Sequence, residues 1–325
     1  MLNLQEFRSI VKGLPDLLPY AALVAPGVVL NKDGSFLGGW EYRGPDVASS
    51  TPEELAWLSE RMNTALLQLG SGWMIHVDSI RKTEAEYMPD GAFSDPVSRL
   101  VDERRRRFFA GRHCLQTVTY LVAAYRPNFT QDKLARMASG ELDDHRAVEK
   151  ALATFQANMD ALEDALSAAL HVQRLEEYDL PDGRFSALLS HLHFDATGIV
   201  QPLRLPMTPM YLDALIGGEE LVGGMMPKIG NQWIGALCLD GFPQESWPAM
   251  FSMLDSLPYP YRFSTRFIFL DQSAALKELD TYRRTWSQKV FRFIDTVFNN
   301  AGARPNRDAA KMVEDAEQAI EEVQI

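Results

Sequence analysis

The sequence predicts an α+β fold with two sheet-containing lobes, long helices and a helical C-terminal connector. Three observations lead there. A strand hairpin punctuated by Asp33-Gly34 opens the chain, a heptad-spaced apolar seam fills its middle, and amphipathic helical stripes close it. The length, 325 residues, gives a prior of about two domains.

In order, Val28 to Leu30 and Phe36 to Tyr42 are β-rich runs joined by Asn31-Lys32-Asp33-Gly34-Ser35. Gly accepts the positive φ that a tight hairpin turn requires. The best-punctuated helix follows: Thr51 caps it, Pro52 fits its first turn, Glu54 completes a capping box and Gly70 ends it. Leu55, Leu58, Met62, Ala65, Leu66 and Leu69 form its apolar stripe. Trp73 to Ile80 reads as a strand, Pro96 to Phe109 as a helix and Leu115 to Tyr125 as another strand. The polar stretch 127–142 holds at most one short helix. Together these make a first lobe over residues 1–142.

From Asp143 the period changes. Val148, Leu152, Phe155, Met159, Leu162, Leu166 and Ala169 are spaced 4, 3, 4, 3, 4, 3. That is a heptad seam on a helix of about 29 residues and roughly 43 Å, spanning 143–175 with its exit. It either packs on sheets of its own chain or forms a subunit contact, with Leu152, Phe155 and Met159 as the contacting residues. The second lobe, 176–271, reads as a short helix over Phe185 to Leu192, a Pro- and Met-rich connector, strands at Leu221 to Met226 and Trp233 to Leu239, a helix over Ser246 to Leu257 and a strand over Arg262 to Leu270. Residues 272–325 carry helices at Ser273 to Asn300 and Arg307 to Val323. The last has an apolar face with no evident cover and no Gly stop, so a longer polypeptide is expected.

Composition narrows the function classes. Hydrophobic residues are 46% and charged residues 23%, ordinary for a globular core. Lys+Arg 32 against Asp+Glu 44 leaves a net charge of −12, a field that repels phosphate backbones and argues against nucleic acid as a partner. Cys114 and Cys238, without CxxC spacing, point to a reducing compartment. No window approaches the roughly 20 apolar residues of a membrane span, and Met1 to Tyr20 is not of signal-peptide type. A cytoplasmic chain with peripheral membrane contact is expected.

Candidate chemical motifs resolve mostly to structure. Gly34-x4-Gly39 and Gly218-x4-Gly223 have glycine-loop spacing but lack the Lys and Ser/Thr that hold phosphates and magnesium, so no nucleotide site is expected. His191, His193 and Asp195 suggest a metal, yet two His at i and i+2 diverge on a helix and no second cluster completes a site, so none is predicted. Arg104 to Arg107 reads as a solvated helix face with local pairing, or as a partner or lipid headgroup contact. No catalytic set is identified.

Several segments carry a resemblance. Val24-Ala-Pro-Gly-Val-Val-Leu-Asn-Lys-Asp-Gly-Ser-Phe36, Gly70-Ser-Gly-Trp73, Pro209-Met-Tyr-Leu-Asp213, Met226-Pro-Lys-Ile-Gly230, Gly241-Phe-Pro243, Tyr261-Arg-Phe-Ser-Thr-Arg-Phe267 and Arg283-Arg-Thr-Trp-Ser-Gln-Lys289 occur in order. As a set they resemble the TrbE/CagE branch of the VirB-type conjugative transfer ATPases. The resemblance implies an energy supplier of type IV secretion and pilus assembly, on the cytoplasmic face of the bacterial inner membrane. Its ATP and magnesium would sit in a RecA-like domain that this chain lacks, placed beyond Ile325. The expected role of residues 1–325 is then docking: binding small inner-membrane subunits and copies of itself, as a dimer or hexamer of the full-length protein. Arg262, Arg266, Arg283, Arg284 and Trp286 are the further candidate contact residues, alongside an ordinary ion-pair reading of the arginines. Alternatives are a single-stranded nucleic-acid-binding module and an autonomous enzyme, the latter supported by a perturbed carboxylate or His in a deep pocket.

Overall fold

A computed structural model describes residues 13–45, 49–84, 91–109, 114–127, 145–208, 210–239, 247, 249–298 and 307–324. They form two compact units, residues 1–67 with 74–267, and residues 68–73 with 268–325. In the first unit, α1 (Leu14–Leu17) leads to β1 (Tyr20–Ala25), β2 (Val28–Asn31), β3 (Phe36–Arg43), α2 (Pro52–Leu66), β4 (Trp73–Glu84), α3 (Pro96–Phe109) and β5 (Cys114–Tyr125). Then come α4 (His145–Ser167), β6 (His171–Arg174), β7 (Glu177–Leu180), β8 (Gly183–Ser186), α5 (Ala187–Thr197), β9 (Leu203–Arg204) and α6 (Leu212–Ile216). Short strands β10 (Leu221–Val222), β11 (Lys228–Ile229) and β12 (Gln232–Trp233), a 3-10 turn at Ser252–Ser256 and β13 (Tyr261–Ile268) complete it. The α+β class is as the sequence predicts.

The main sheet has seven strands in the order β1-β2-β3-β5-β4-β13, with β6 also on β3. The hairpin turn forms where Asp33-Gly34 places it: Gly34 has φ 82 and Ser35 donates its backbone N–H to Asp33 Oδ1 at 3.0 Å. Strand β3 organises the sheet. It pairs antiparallel with β5 from Phe36↔Tyr125 to Tyr42↔Thr119 on one edge. On the other edge β2 meets Phe36 and Leu37, while β6 meets Trp40 to Arg43.

Alternation along β3 divides the core into two layers. Phe36, Gly38 and Trp40 face α4, where the Phe36 and Phe155 rings stack at 5.7 Å and the Met159 side chain closes over Gly38. Trp40 is fully buried and donates its indole N–H to Glu163 Oε2 at 2.9 Å, with Arg174 over its ring and paired to both Asp160 and Glu163. Leu37 faces the opposite side, packing with Val29, Val122, Leu188, Leu189, Leu192 and Ile216. The heptad seam is therefore an internal face. Phe155 and Met159 are 0% and 3% exposed, Leu152 is half-buried, and the own-sheet reading holds in this structure.

Several elements differ from the sequence expectation, each for a local reason. The helix expected at 185–192 starts two residues later, because Phe185 belongs to β8 and Ser186 caps α5. The hairpin expected at 221–226 and 233–239 is a three-stranded meander of two-residue strands, and 234–239 forms no strand. The helix expected at 246–257 is only the short 3-10 turn among the described residues. Strand β13, expected in a second-lobe sheet, lies beside β4 and extends the main one. The short helix expected near 127–142 lies outside the described residues.

The second unit holds α7 (Gln272–Phe298) and α8 (Arg307–Gln324). Ser71 and Asp271 exchange hydrogen bonds in both directions, Ser71 N to Asp271 Oδ1 at 3.0 Å and Asp271 N to Ser71 Oγ at 2.9 Å. The sequence shows no cover for the last helix, but the structure supplies one: α8 packs antiparallel on α7. Gln272 Nε2 donates to Val323 O, Tyr282 Oη to Met312 Sδ, and Arg283 reaches Glu317. The amphipathic face at Val313, Ala316, Ile320 and Val323 is thus covered within the chain, with Ala316 buried.

Candidate functional site

Helix α5 is set down on the sheet by its own apolar residues and punctuated at both ends. Ser186 Oγ accepts the Leu189 N–H at 3.2 Å, and Gly198 closes the helix at φ 73 with its N–H on Phe194 O. Leu188, Leu189 and Leu192 press into the core at 0–2% exposure. That seating fixes which polar residues face the sheet. His191 and Asp195, one turn apart, share a face. His193 points elsewhere, its Nδ1 2.9 Å from Ile216 O. The divergence of the two histidines matches the sequence argument.

The structure also supplies what the sequence does not show: Asp78, from the middle of β4, meets that face. His191 Nε2 lies 3.2 Å from Asp195 Oδ2 and 3.9 Å from Asp78 Oδ2. The Tyr120 ring of β5 stacks on the imidazole with centroids 4.1 Å apart. Arg262 of β13 grips Asp195 twice, Nη1 to the backbone O and to Oδ1, both at 2.9 Å. Sequence reasoning misses Asp78 because a lone Asp within a strand run carries no local signal. Only the pairing of distant strands brings it to α5.

Burial governs the electrostatics here. It pushes the Asp195 carboxyl up to about 7, helped by the negative charge of Asp78 and opposed by Arg262. Burial also pushes His191 down to about 4, against the pull of Asp78. The imidazole is therefore neutral at neutral pH, so its contact with Asp195 is not an ion pair despite the 3.2 Å approach. Burial lowers His76 in the same way, and raises the Tyr20 and Tyr120 hydroxyls to about 12, with Asp195 adding to both. A cleft of ≈ 240 Å³ adjoins the cluster, lined by Glu41, Lys82, Tyr120, Ser190, His191 and Gln201 among others.

The other candidate residues separate by unit. Arg262 and Arg266 lie on β13, where Arg262 serves Asp195 and Arg266 is exposed. Arg283 and Arg284 lie on α7, both paired with Asp280. Trp286 is also on α7, with its side chain outside the described residues. On α3, Arg106 pairs with Asp102 and Arg107 with Glu103, the local pairing expected for that run.

Two surfaces are unusually apolar. No described residue of α3 is buried, and Val97, Leu100, Val101 and Phe108 form an exposed stripe beside Arg104 and Arg105. Between 207 and 253, Tyr211, Met225, Trp233, Leu237, Trp247 and Met253 all stand in solvent, Met225 and Leu237 completely. Isolated exposed apolar residues are ordinary, but such density marks interaction surfaces. The sequence pattern assigns this segment largely to strands and a helix; its residues lie instead on short strands and coil that bury little.

Known proteins resemble this chain along nearly all of its length. Residues 27–133 match the N-terminal domain of the type IV secretion system ATPase VirB4/TrbE. Residues 173–325 match the CagE, TrbE, VirB family, a component of the type IV transporter system. The conjugal transfer protein TrbE of Rhizobium radiobacter is 37% identical across 99% of this chain, which spans 41% of that relative's length. A probable conjugal transfer protein TrbE of Sinorhizobium fredii is 40% identical over 39% of this chain and 88% of its own. The type IV secretion protein virB4 of Brucella suis is 23% identical over 66% of this chain and 26% of its own. The chain belongs to the TrbE/VirB4 family of type IV secretion and conjugative transfer components.

Proposed function

We propose that these residues form the docking and assembly part of a type IV secretion motor. They would attach it to small inner-membrane subunits and to neighbouring copies of itself. One observation carries this reading: large apolar side chains between Met207 and Met253 stay in solvent while the same unit buries Trp40, Phe36 and Phe155 completely. A chain able to build such a core leaves that segment uncovered for a partner. The basic stripe of α3 supports peripheral contact with the inner membrane, since exposed Leu, Val and Phe beside arginines suit an anionic lipid surface. No described helix is long and apolar enough to cross a membrane, so attachment through partners or surface contact fits. ATP and magnesium belong, in this proposal, to the portion of the longer relatives that this chain does not span.

A perturbed carboxylate and histidine beside a cleft would favour an enzyme. Here the reactive atoms are shut away, with the His191 and Asp78 side chains 2% and 5% exposed. That closure suits holding rather than turnover.

The test is a photo-crosslinking residue placed at Leu237 or Trp233 in cells that carry the transfer machinery. Crosslinks to the small membrane subunits or to a second copy are expected. Crosslinks to neither, while an equivalent probe elsewhere on the chain captures them, would overturn the assignment of this surface.

A further inference from the structure

We infer that Asp78, His191 and Asp195 form a binding site for a divalent transition-metal ion that ties α5 to the central sheet. Their candidate ligand atoms all lie within 4.8 Å of one another. Two ligand atoms of one tetrahedral zinc are about 3.3 Å apart, from bonds of about 2.0–2.1 Å. The 3.2 Å from His191 Nε2 to Asp195 Oδ2 already meets that spacing, and the 3.9 Å to Asp78 Oδ2 needs only a small side-chain rotation.

Orphaned atoms give a second, independent reason. Asp78 Oδ1 and both ring nitrogens of His191 have no hydrogen-bond partner among the described residues, although both side chains are almost wholly buried. Buried polar atoms without partners are costly, and buried carboxylates normally face a cation or donors. Arg262 answers only part of this need. It binds Asp195 on Oδ1 and leaves Oδ2 turned toward the imidazole and Asp78. Arg262 is thus a positioning residue that orients one ligand.

The donor set selects the ion. Two carboxylates and an imidazole suit zinc or manganese better than calcium or magnesium, which favour all-oxygen surroundings, and the usual affinity order places Zn2+ above Mn2+. Three protein donors leave a position for water, and His191 lines the adjacent cleft.

The experiment uses the whole chain stripped with chelator, in a Cys238→Ser background because that exposed thiol could itself bind zinc. Calorimetric titration with Zn2+ is expected to show one saturable site, and Co2+ to give a ligand-field spectrum without thiolate bands. Asp78→Asn and His191→Gln should each weaken binding about tenfold or more, whereas His171→Gln, on exposed β6, should not. Circular dichroism checks that the variants fold. If either does not, hydrogen exchange of the unsubstituted chain answers the same question: added Zn2+ should slow amide exchange in β4 and α5. Absence of saturable binding, binding that both substitutions leave unchanged, or protection confined to other elements would each overturn the site.

Discussion

Single positions in this chain separate cleanly into those that hold the fold and those free to hold something else. Phe155 is readable from sequence as a seam residue but not as a core residue, because a heptad stripe looks the same whether it faces a sheet or a neighbouring subunit. Its zero exposure and its stack on Phe36 decide the matter. Phe155→Ala should cost about 3–5 kcal/mol in denaturant unfolding, and a loss below about 1 kcal/mol would return that face to the subunit-contact reading. The Asp195 and His191 pair makes a sharper statement about pH. Unfolded, a free His near 6.5 carries the pair's proton in mildly acidic solution; folded, Asp195 at about 7 carries it instead of His191 at about 4. The two effects oppose each other, so the metal-free pair contributes little slope between pH 4 and 6.5. Removing one member exposes the other. In Asp195→Asn the depressed His191 remains, the unfolded chain binds more protons, and stability should fall as pH drops from 6.5 toward 4. In His191→Gln the raised Asp195 remains, the folded chain binds more protons, and stability should fall as pH rises from 3.8 to 7. Denaturant midpoints with chelator present read both slopes, and equal signs would refute the assignment.

Among elements, punctuation decides what can be read from the sequence. Helix α2 is legible at its start because Thr51, Pro52 and Glu54 form a complete capping box in the structure. The long terminal helices are legible because their stripes persist over many turns. Helix α5 is legible as a helix but its limits are not: Ser186 and Gly198 cap it, while the leucine pattern alone suggests an earlier start. Gly198→Ala tests the C-terminal cap. No atom lies within 4 Å of the added Cβ, so the positive φ alone sets the cost, about 1–2 kcal/mol by chemical denaturation. The strands of the meander β10 to β12 are shorter than the sequence suggests. Leu, Met and Trp there promise long strands, whereas exposure shows that they have nothing to pack on. Helix α3 belongs to the same class of element, shaped for a surface it does not meet within its own unit. The chain should cosediment with anionic vesicles, and Leu100→Glu combined with Phe108→Glu should abolish this. Equal sedimentation of the variant would show that the stripe is not the contact.

At the scale of the whole molecule, the sequence conveys class and kinship more readily than connectivity. Ordered motifs from Val24 to Lys289 indicate the family, and composition indicates a real core. The sheet order stays hidden, since the neighbours β4 and β13 are separated by more of the chain than any local pattern reaches. The same separation hides Asp78 from His191. The chain that results has a rigid sheet clamped between α4 and α5, and an apolar margin that it does not bury. Docking is the use this division best supports, and binding to the membrane subunits of the same transfer system tests it most directly. The purified chain should bind those subunits, held in lipid nanodiscs, in a saturable manner. Trp233→Glu together with Leu237→Glu should weaken that binding at least tenfold while leaving the unfolding transition in place. Undiminished affinity in the folded double variant, or no affinity in the unsubstituted chain, would contradict it.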